Sequence, residues 1–281
     1  FSWTVYQYDN VGRIIKVGVK NYANSSFNRD YHQGQINSTP TSAYPSLSAS
    51  EIEEYSYYDD YDFDDNGTAD HSFNTTYNSK FATAPVSSSQ IHGQLTGSQV
   101  RVLGTNDFNT SVYFYDDMGR VVQEKLIHHL GGTNYTTMAY DFKGNLIRSY
   151  EDVNQPQSDI GASFTLQQDY TFDHRDRLLS IHHKINDGVS VEVVSQNYEP
   201  LGQLKTKTLG YDLQEINYKY NVNNWLTHIN DANLSNSDDL FGMELYYSFG
   251  YQTTYKNGNI SGVQWKSASD DVKRNYGFLY D

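Results

Sequence analysis

The densest supply of reactive side chains is the run Glu51-Ile52-Glu53-Glu54-Tyr55-Ser56-Tyr57-Tyr58-Asp59-Asp60-Tyr61-Asp62-Phe63-Asp64-Asp65-Asn66-Gly67-Thr68-Ala69-Asp70. Within it Asp62, Asp64, Asn66, Gly67 and Asp70 follow the order D-x-D-x-N-G-x-x-D. That order turns alternate side-chain oxygens inward, and its glycine allows the sharp bend around a hard cation; calcium is the ion implied. The position where an EF-hand loop closes with a bidentate Glu holds Phe73 instead, so an EF-hand is not supported. A solvated acidic loop accounts for the same residues, with Tyr55, Tyr57 and Tyr61 packed on a neighbouring sheet.

Other chemistry is harder to find. The pairs His128-His129 and His182-His183 suggest metal or general-base work, but neighbours in a strand point to opposite faces, which favours sheet surface. No Gly-x-Ser-x-Gly elbow, phosphate loop or His-Glu-x-x-His zinc motif is present, so no enzyme activity is expected of this chain. A glycosidase needs paired carboxylates facing a cleft, and only the acidic run around 59–70 supplies them densely. Trp3, Trp225 and Trp265 could form a platform that stacks on sugar rings, which makes a carbohydrate- or surface-binding adhesion module the alternative function.

The elements that must position these residues follow one recurring unit. In Tyr115-Asp116-Asp117-Met118-Gly119-Arg120-Val121-Val122 the tyrosine ends a strand, Asp116 can cap a turn, Gly119 accepts positive φ and Arg120 opens the return strand. Tyr8, Asp9, Gly12 and Arg13 repeat the order, as do Tyr140, Asp141 and Gly144. Looser copies run from Phe172-Asp173 to Arg177 and from Tyr198-Glu199 to Gly202; weaker ones begin at Tyr220 and Tyr255, and Tyr280-Asp281 opens another. From Tyr115 onward the spacing is 22 to 35 residues, the signature of a repeat architecture. Asp116, Asp141 and Asp173 therefore read as turn caps, and Arg13 and Arg120 are expected on a repeat tyrosine or a neighbouring carboxylate.

Composition agrees. Of 281 residues 26 are Tyr and 20 Gly, with only 19% charged, a β-type balance in which tyrosine packs its ring and wets its hydroxyl. A net charge of -14 argues against nucleic acid, whose binding relies on clustered Lys and Arg. There is no cysteine for a disulfide or thiolate site, and no apolar run of the roughly 20 residues a membrane-spanning helix needs. Three regions result: a hairpin at 1–23, an irregular acidic, Tyr-rich insertion at 24–90 punctuated by Pro40, Pro45 and Pro85, and repeated hairpins over 91–281. Phe1 lies in mid-strand pattern and Tyr280-Asp281 in mid-repeat, so a fragment of a longer protein is expected.

With these repeats in view, residues 1–23 and 91–281 resemble the Rhs/YD-repeat family, whose relatives include the shell of Tc toxin complexes and the teneurin ectodomain. Leu95 to Thr105, His129-Leu130-Gly131-Gly132-Thr133, Asp239-Leu240-Phe241-Gly242-Met243 and Asn257-Gly258-Asn259-Ile260-Ser261-Gly262 look like Rhs proteins of Bacteroidetes-type bacteria. The resemblance implies an all-β fold of YD-repeat hairpins, spiralling into a hollow, barrel-like shell that encloses or displays a variable C-terminal effector. It implies a secreted or cell-surface bacterial protein with its own effector region as partner and the type IX outer-membrane machinery as exporter; surface glycans are partners under the alternative reading of the tryptophan platform. The family's self-cleaving aspartates follow a Pro-rich signature that this chain lacks, so no protease residues carry over.

Overall fold

The computed structural model describes residues 2–22, 27–38, 44–154, 163–250, 255–270 and 272–280. Phe1, Pro40 and Asp281, on which parts of the sequence reading fall, lie outside them. The chain divides into two compact units, Phe1–Leu166 and Gln167–Asp281. Both are built from antiparallel strands that pair with the next strand in sequence.

The first unit contains β1 (Ser2–Tyr8), β2 (Ile14–Asn21), β3 (Ile52–Tyr58), β4 (Leu95–Arg101), β5 (Phe108–Tyr115), β6 (Val121–Ile127), β7 (Thr133–Tyr140) and β8 (Leu146–Asn154). Each is hydrogen-bonded to its successor. β9 (Ser163–Phe172) runs across the division of the chain. The second unit continues with β10 (Leu178–Ile185), β11 (Val191–Tyr198), β12 (Leu204–Leu209), β13 (Gln214–Tyr220), β14 (Leu226–Ile229), β15 (Phe241–Tyr246), β16 (Gly262–Ser267) and β17 (Arg274–Gly277). Their pairing is again in sequence order. The all-β expectation therefore holds.

A register slip recurs at the aromatic residue of several repeats, between Gln7 and Tyr8, Phe114 and Tyr115, Ala139 and Tyr140, Asn197 and Tyr198, and Lys219 and Tyr220. The turn explains it. Asp116 N–H donates to Arg120 O and Gly119 N–H to Asp116 O, each at 2.9 Å, while Gly119 sits at φ +74°. This is a tight turn closed by a bulge whose extra residue is left-handed, the conformation glycine takes without a Cβ penalty. Asp176 (φ +62°) and Asn224 (φ +63°) fill that slot in the looser copies, as the two non-glycine residues that best tolerate it.

The stretch 24–90 contains more structure than its composition suggests. It holds a polar helix, α1 (Arg29–Ser38), and the strand β3, which lies between β2 and β4. Residues 61–81 then cross one face of the first unit's sheet. Phe63 stacks on Tyr57 with centroids 4.0 Å apart, Tyr61 and Phe73 pack on Phe114, and Tyr77 meets Tyr135 and Tyr150. Phe63 reaches the backbone because its partner position is Gly97, where a Cβ would stand 2.2 Å from the ring. Under this cover Val112 and Phe114 are buried to 0% and 1% exposure. The fully buried Gln123 accepts from Asn74 N–H at 2.8 Å and donates to Asn74 O and Thr137 Oγ1, so its amide is satisfied where an unpaired one would be costly.

Candidate functional site

The repeated turn is the most ordered constellation of charged and aromatic groups. In one unit Asp116 Oδ1 accepts the N–H groups of Met118 and Arg120, each at 2.9 Å, while Oδ2 takes Arg120 Nε at 2.7 Å and Nη2 at 2.6 Å. Asp9 holds Val11, Arg13 N–H and Arg13 Nε in the same way, and Asp173 holds Arg175, Arg177 N–H and Arg177 Nε. In the third full copy Asn145 replaces arginine and donates Nδ2 to Asp141 Oδ2 at 2.9 Å.

These turns are linked to one another. The guanidinium of Arg13 lies 4.3 Å above the ring of Tyr58, that of Arg120 4.8 Å above Tyr140 and that of Arg177 4.3 Å above Tyr198. Contact also runs in the reverse direction. Tyr140 Oη donates to Val121 O at 2.9 Å, Tyr198 Oη to Leu178 O at 2.8 Å, Tyr247 Oη to Leu226 O at 2.8 Å and Tyr280 Oη to Ile260 O at 3.0 Å. The rings of Tyr140 and Tyr198 thus receive the side chain that follows the previous turn's left-handed residue and return a hydrogen bond to the next carbonyl, whereas Tyr280 packs on Tyr255 at 4.9 Å. Trp225 occupies the arginine slot and packs on Tyr247 at 5.1 Å.

Two units escaped the sequence reading. Tyr58 and Asp59 form one whose turn is opened by an insertion: Asp59 N–H donates to Gln94 O, Gly93 takes φ +83°, and Tyr115 Oη returns to Leu95 O at 2.6 Å. The flanking pieces Tyr58-Asp59 and Gly93-Gln94-Leu95 were the available signal. The second is a correction. Tyr247, and not Tyr255, is the ring of its unit, since its hydroxyl returns to Leu226 O; Tyr255, whose N–H donates to Tyr247 O, stands three residues before the left-handed Gly258, at the spacing aspartate has elsewhere. The residues intervening before Tyr255 hid the true aromatic.

The turn charges are strongly engaged. Arg13 bonds both oxygens of Asp59, at 3.0 and 2.6 Å, and holds that carboxyl at about 2; the Arg177 side chain likewise holds Asp173 at about 2. Burial works the other way at Asp116, but the Arg120 side chain and the turn N–H groups outweigh it and keep its pKa below the usual range. A groove of about 550 Å³ between two turns exposes Met118 and Phe142, yet Arg120 and Asp141 in its lining are committed to the turns themselves. The turn aspartates act as caps.

The acidic loop lies over the first unit. Asp62, Asp64 and Asp70 bring carboxylate oxygens within 4.8 Å of one another, a grouping of hard oxygen donors that exposed acidic loops also form without an ion. Asp62 accepts from Asn66 N–H at 3.1 Å and Gly67 N–H at 2.6 Å, and Asp70 accepts from Phe63 N–H at 2.8 Å. Asn66 departs from the expected ligand set, because its Oδ1 accepts Thr68 N–H at 2.9 Å and the Thr68 hydroxyl. Tyr57 and Tyr61 pack as the solvated-loop reading has it, and burial pushes both phenols up to about 12.

The three tryptophans are not gathered into one platform by any described contact. Trp3 packs edge-on to His32 at 4.9 Å, Trp225 belongs to the turn ladder, and Trp265 tilts against Tyr276 at 5.3 Å. The histidine pairs split between strands: His182 faces Glu192 of β11, and His183 meets Gln168 of β9. His129 bonds Asn109 at 3.0 Å.

No protein-family model matches the chain, and no curated protein is similar to it. Among solved structures it is similar to a TcdB2-TccC3-TEV protein, at 12% identity and a TM-score of 0.34, over 98% of this chain and 14% of that one. A TcdB2-TccC3-Cdc42 protein matches at 13% identity and a TM-score of 0.33, over 98% of this chain and 15% of that one. A porin-like protein from Bacteroides uniformis matches at 14% identity and a TM-score of 0.32, over 68% of this chain and 85% of that one.

Proposed function

We propose that this chain is a length of structural wall in a larger YD-repeat protein, whose hairpin sheet encloses or displays a C-terminal effector at the surface of, or outside, a bacterial cell. The observation that carries this reading is the turn ladder. Its Asp, Arg and Tyr side chains are spent on joining one hairpin to the next, which is how a sheet meant to be extended hides its free edges and holds its register. Export through the type IX machinery is part of the same proposal and rests on the family resemblance alone.

Electron microscopy of the full-length protein tests it. A closed hollow particle with internal density is expected; an open, empty sheet would overturn enclosure and leave display or adhesion. Calcium belongs to the proposal as a clamp on the acidic loop, supported by the convergence of Asp62, Asp64 and Asp70. Chelation should then raise protease sensitivity within 59–90 and leave the hairpins of the second unit protected.

A second reading, a glycan-binding surface, is favoured by one row of side chains. Tyr218, Ile229, Met243 and Trp265 lie opposite one another across β13 to β16, all only half-buried. Binding on a glycan array that is lost in Trp265→Ala would favour it.

A further inference from the structure

Asn66 and Gly67 sit in an arrangement that a simple acidic loop does not require. The Asn66 side-chain oxygen receives two donors from one residue, the backbone N–H of Thr68 at 2.9 Å and the Thr68 hydroxyl. The following peptide N–H, that of Gly67, points at Asp62 Oδ2 at 2.6 Å. Gly67 takes φ +87° with nothing within 4 Å of where a Cβ would stand, and both residues are exposed to water. An electrophilic amide carbon, an adjacent nitrogen nucleophile and donors on the oxygen where charge would develop are thus assembled within seven residues.

We infer that Asn66 is a self-modifying residue, which cyclises onto Gly67 and ends as a carboxylate. The Gly67 nitrogen adds to Asn66 Cγ and its proton passes to water. Negative charge gathers on Oδ1, where the two Thr68 donors stabilise it as preorganised dipoles do in acyl transfer. The Cγ–Nδ2 bond then breaks, the nitrogen takes a proton from water and leaves as ammonia, and a succinimide remains. Water opens either imide carbonyl to give aspartate or isoaspartate, so water is the only co-reactant. Asp62 stays ionised throughout; its hydrogen bond at 2.6 Å raises electron density on the attacking nitrogen and restrains that peptide. The product adds a carboxylate next to Asp62, Asp64 and Asp70.

The chain carries its own reference. A second Asn-Gly pair, Asn257-Gly258, occupies a hairpin turn, where Asn257 Oδ1 accepts Asn259 N–H at 3.1 Å. Among the described residues no hydroxyl joins that donor and no carboxylate accepts from Gly258 N–H. Gly258 lies instead against Trp225, 3.2 Å from where its Cβ would be.

The test is peptide mapping by mass spectrometry of the purified chain, incubated at neutral pH with EDTA so that no cation occupies the loop. The Asn66 peptide should gain a carboxylate and isoaspartate roughly tenfold faster than the Asn257 peptide. Thr68→Val and Asp62→Asn should each slow Asn66 several-fold and leave Asn257 unchanged. Equal rates at the two sites would overturn the inference. So would faster conversion of Asn66 in Asp62→Asn, since the carboxylate would then be restraining the nitrogen. Both variants lie in an exposed loop, and an unchanged Asn257 rate reports that the remaining fold is intact.

Discussion

The two units use the same hairpin and the same turn, yet among the described residues the cluster of buried apolar side chains, Val112, Phe114 and Val122, lies in the first. The difference lies one residue before the repeat aromatic. In the first unit this position holds Gln7 at the first hairpin and then Tyr57, Phe114 and Ala139; in the second it holds Thr171, Asn197 and Lys219 before Tyr246 and Leu279 at the last two repeats. On that face the first unit presents Val112 and Phe114, and residues 61–81 cross it. The second presents Ser180, Ser195, Thr208 and Glu215 opposite one another across four strands, with Asn197, Thr206 and Asn217 alongside. Polar cross-strand rows satisfy one another, as Thr171 does Ser180 at 2.7 Å and Asn197 does Thr206 at 3.1 Å. The contrast teaches that the turn ladder specifies a sheet without a core, and that a core is added where the face is apolar enough to bind a cover.

The comparison breaks most directly at Phe114. Phe114→Ala should cost about 3–5 kcal/mol, the range for a fully buried aromatic, and Asn197→Ala less than about 1 kcal/mol. Hydrogen exchange should show the first loss confined to β4–β7 and the cover. Similar losses for the two variants would mean that the second unit has a core of its own.

A smaller effect sharpens what the units share. Gly119→Val should cost about 1–2 kcal/mol, because a β-branched residue is strained at φ +74°, whereas Asp117→Ala at the exposed turn tip should change stability by less than about 0.5 kcal/mol. Indistinguishable melting temperatures would contradict the assigned turn.

Acid should act on both units alike, and more gently. Asp59 in the first and Asp173 in the second have folded pKa values of about 2 against an ordinary 3.8. A carboxyl depressed on folding contributes stability above its unfolded pKa and loses it as pH falls toward the folded value. Melting temperature should therefore hold near neutrality and decline from about pH 4 to about pH 2. A decline restricted to one unit, read by hydrogen exchange, would show that the turn ion pairs are not equivalent.

Much of the ladder was legible in the sequence because its parts are local. Asp116, Gly119 and Arg120 lie within one turn, and their residue types state the cap, the left-handed slot and the ion pair. What was not legible depended on pairing across long separations. Nothing near Gly97 indicates that Phe63 lies over it, and β3 is marked by Tyr55, Tyr57 and Tyr58 within a run that acidic residues make look like loop. The Asp62, Asp64 and Asp70 grouping was anticipated, but the turning of Asn66 toward Thr68 was not, because the competing local hydrogen bond is invisible in a spacing pattern.

The split unit at Tyr58 has a further meaning. Its turn closes from Asp59 to Gln94 at 3.2 Å although the chain leaves and returns between them, and Arg13 still grips Asp59 from one side while Tyr115 grips Leu95 from the other. Because closure entropy rises only logarithmically with loop length, a turn clamped by both neighbours tolerates a long excursion at small cost. This turn is thereby a port for inserted sequence: the sheet acquires its cover, residues 61–81, between two strands that still pair as neighbours.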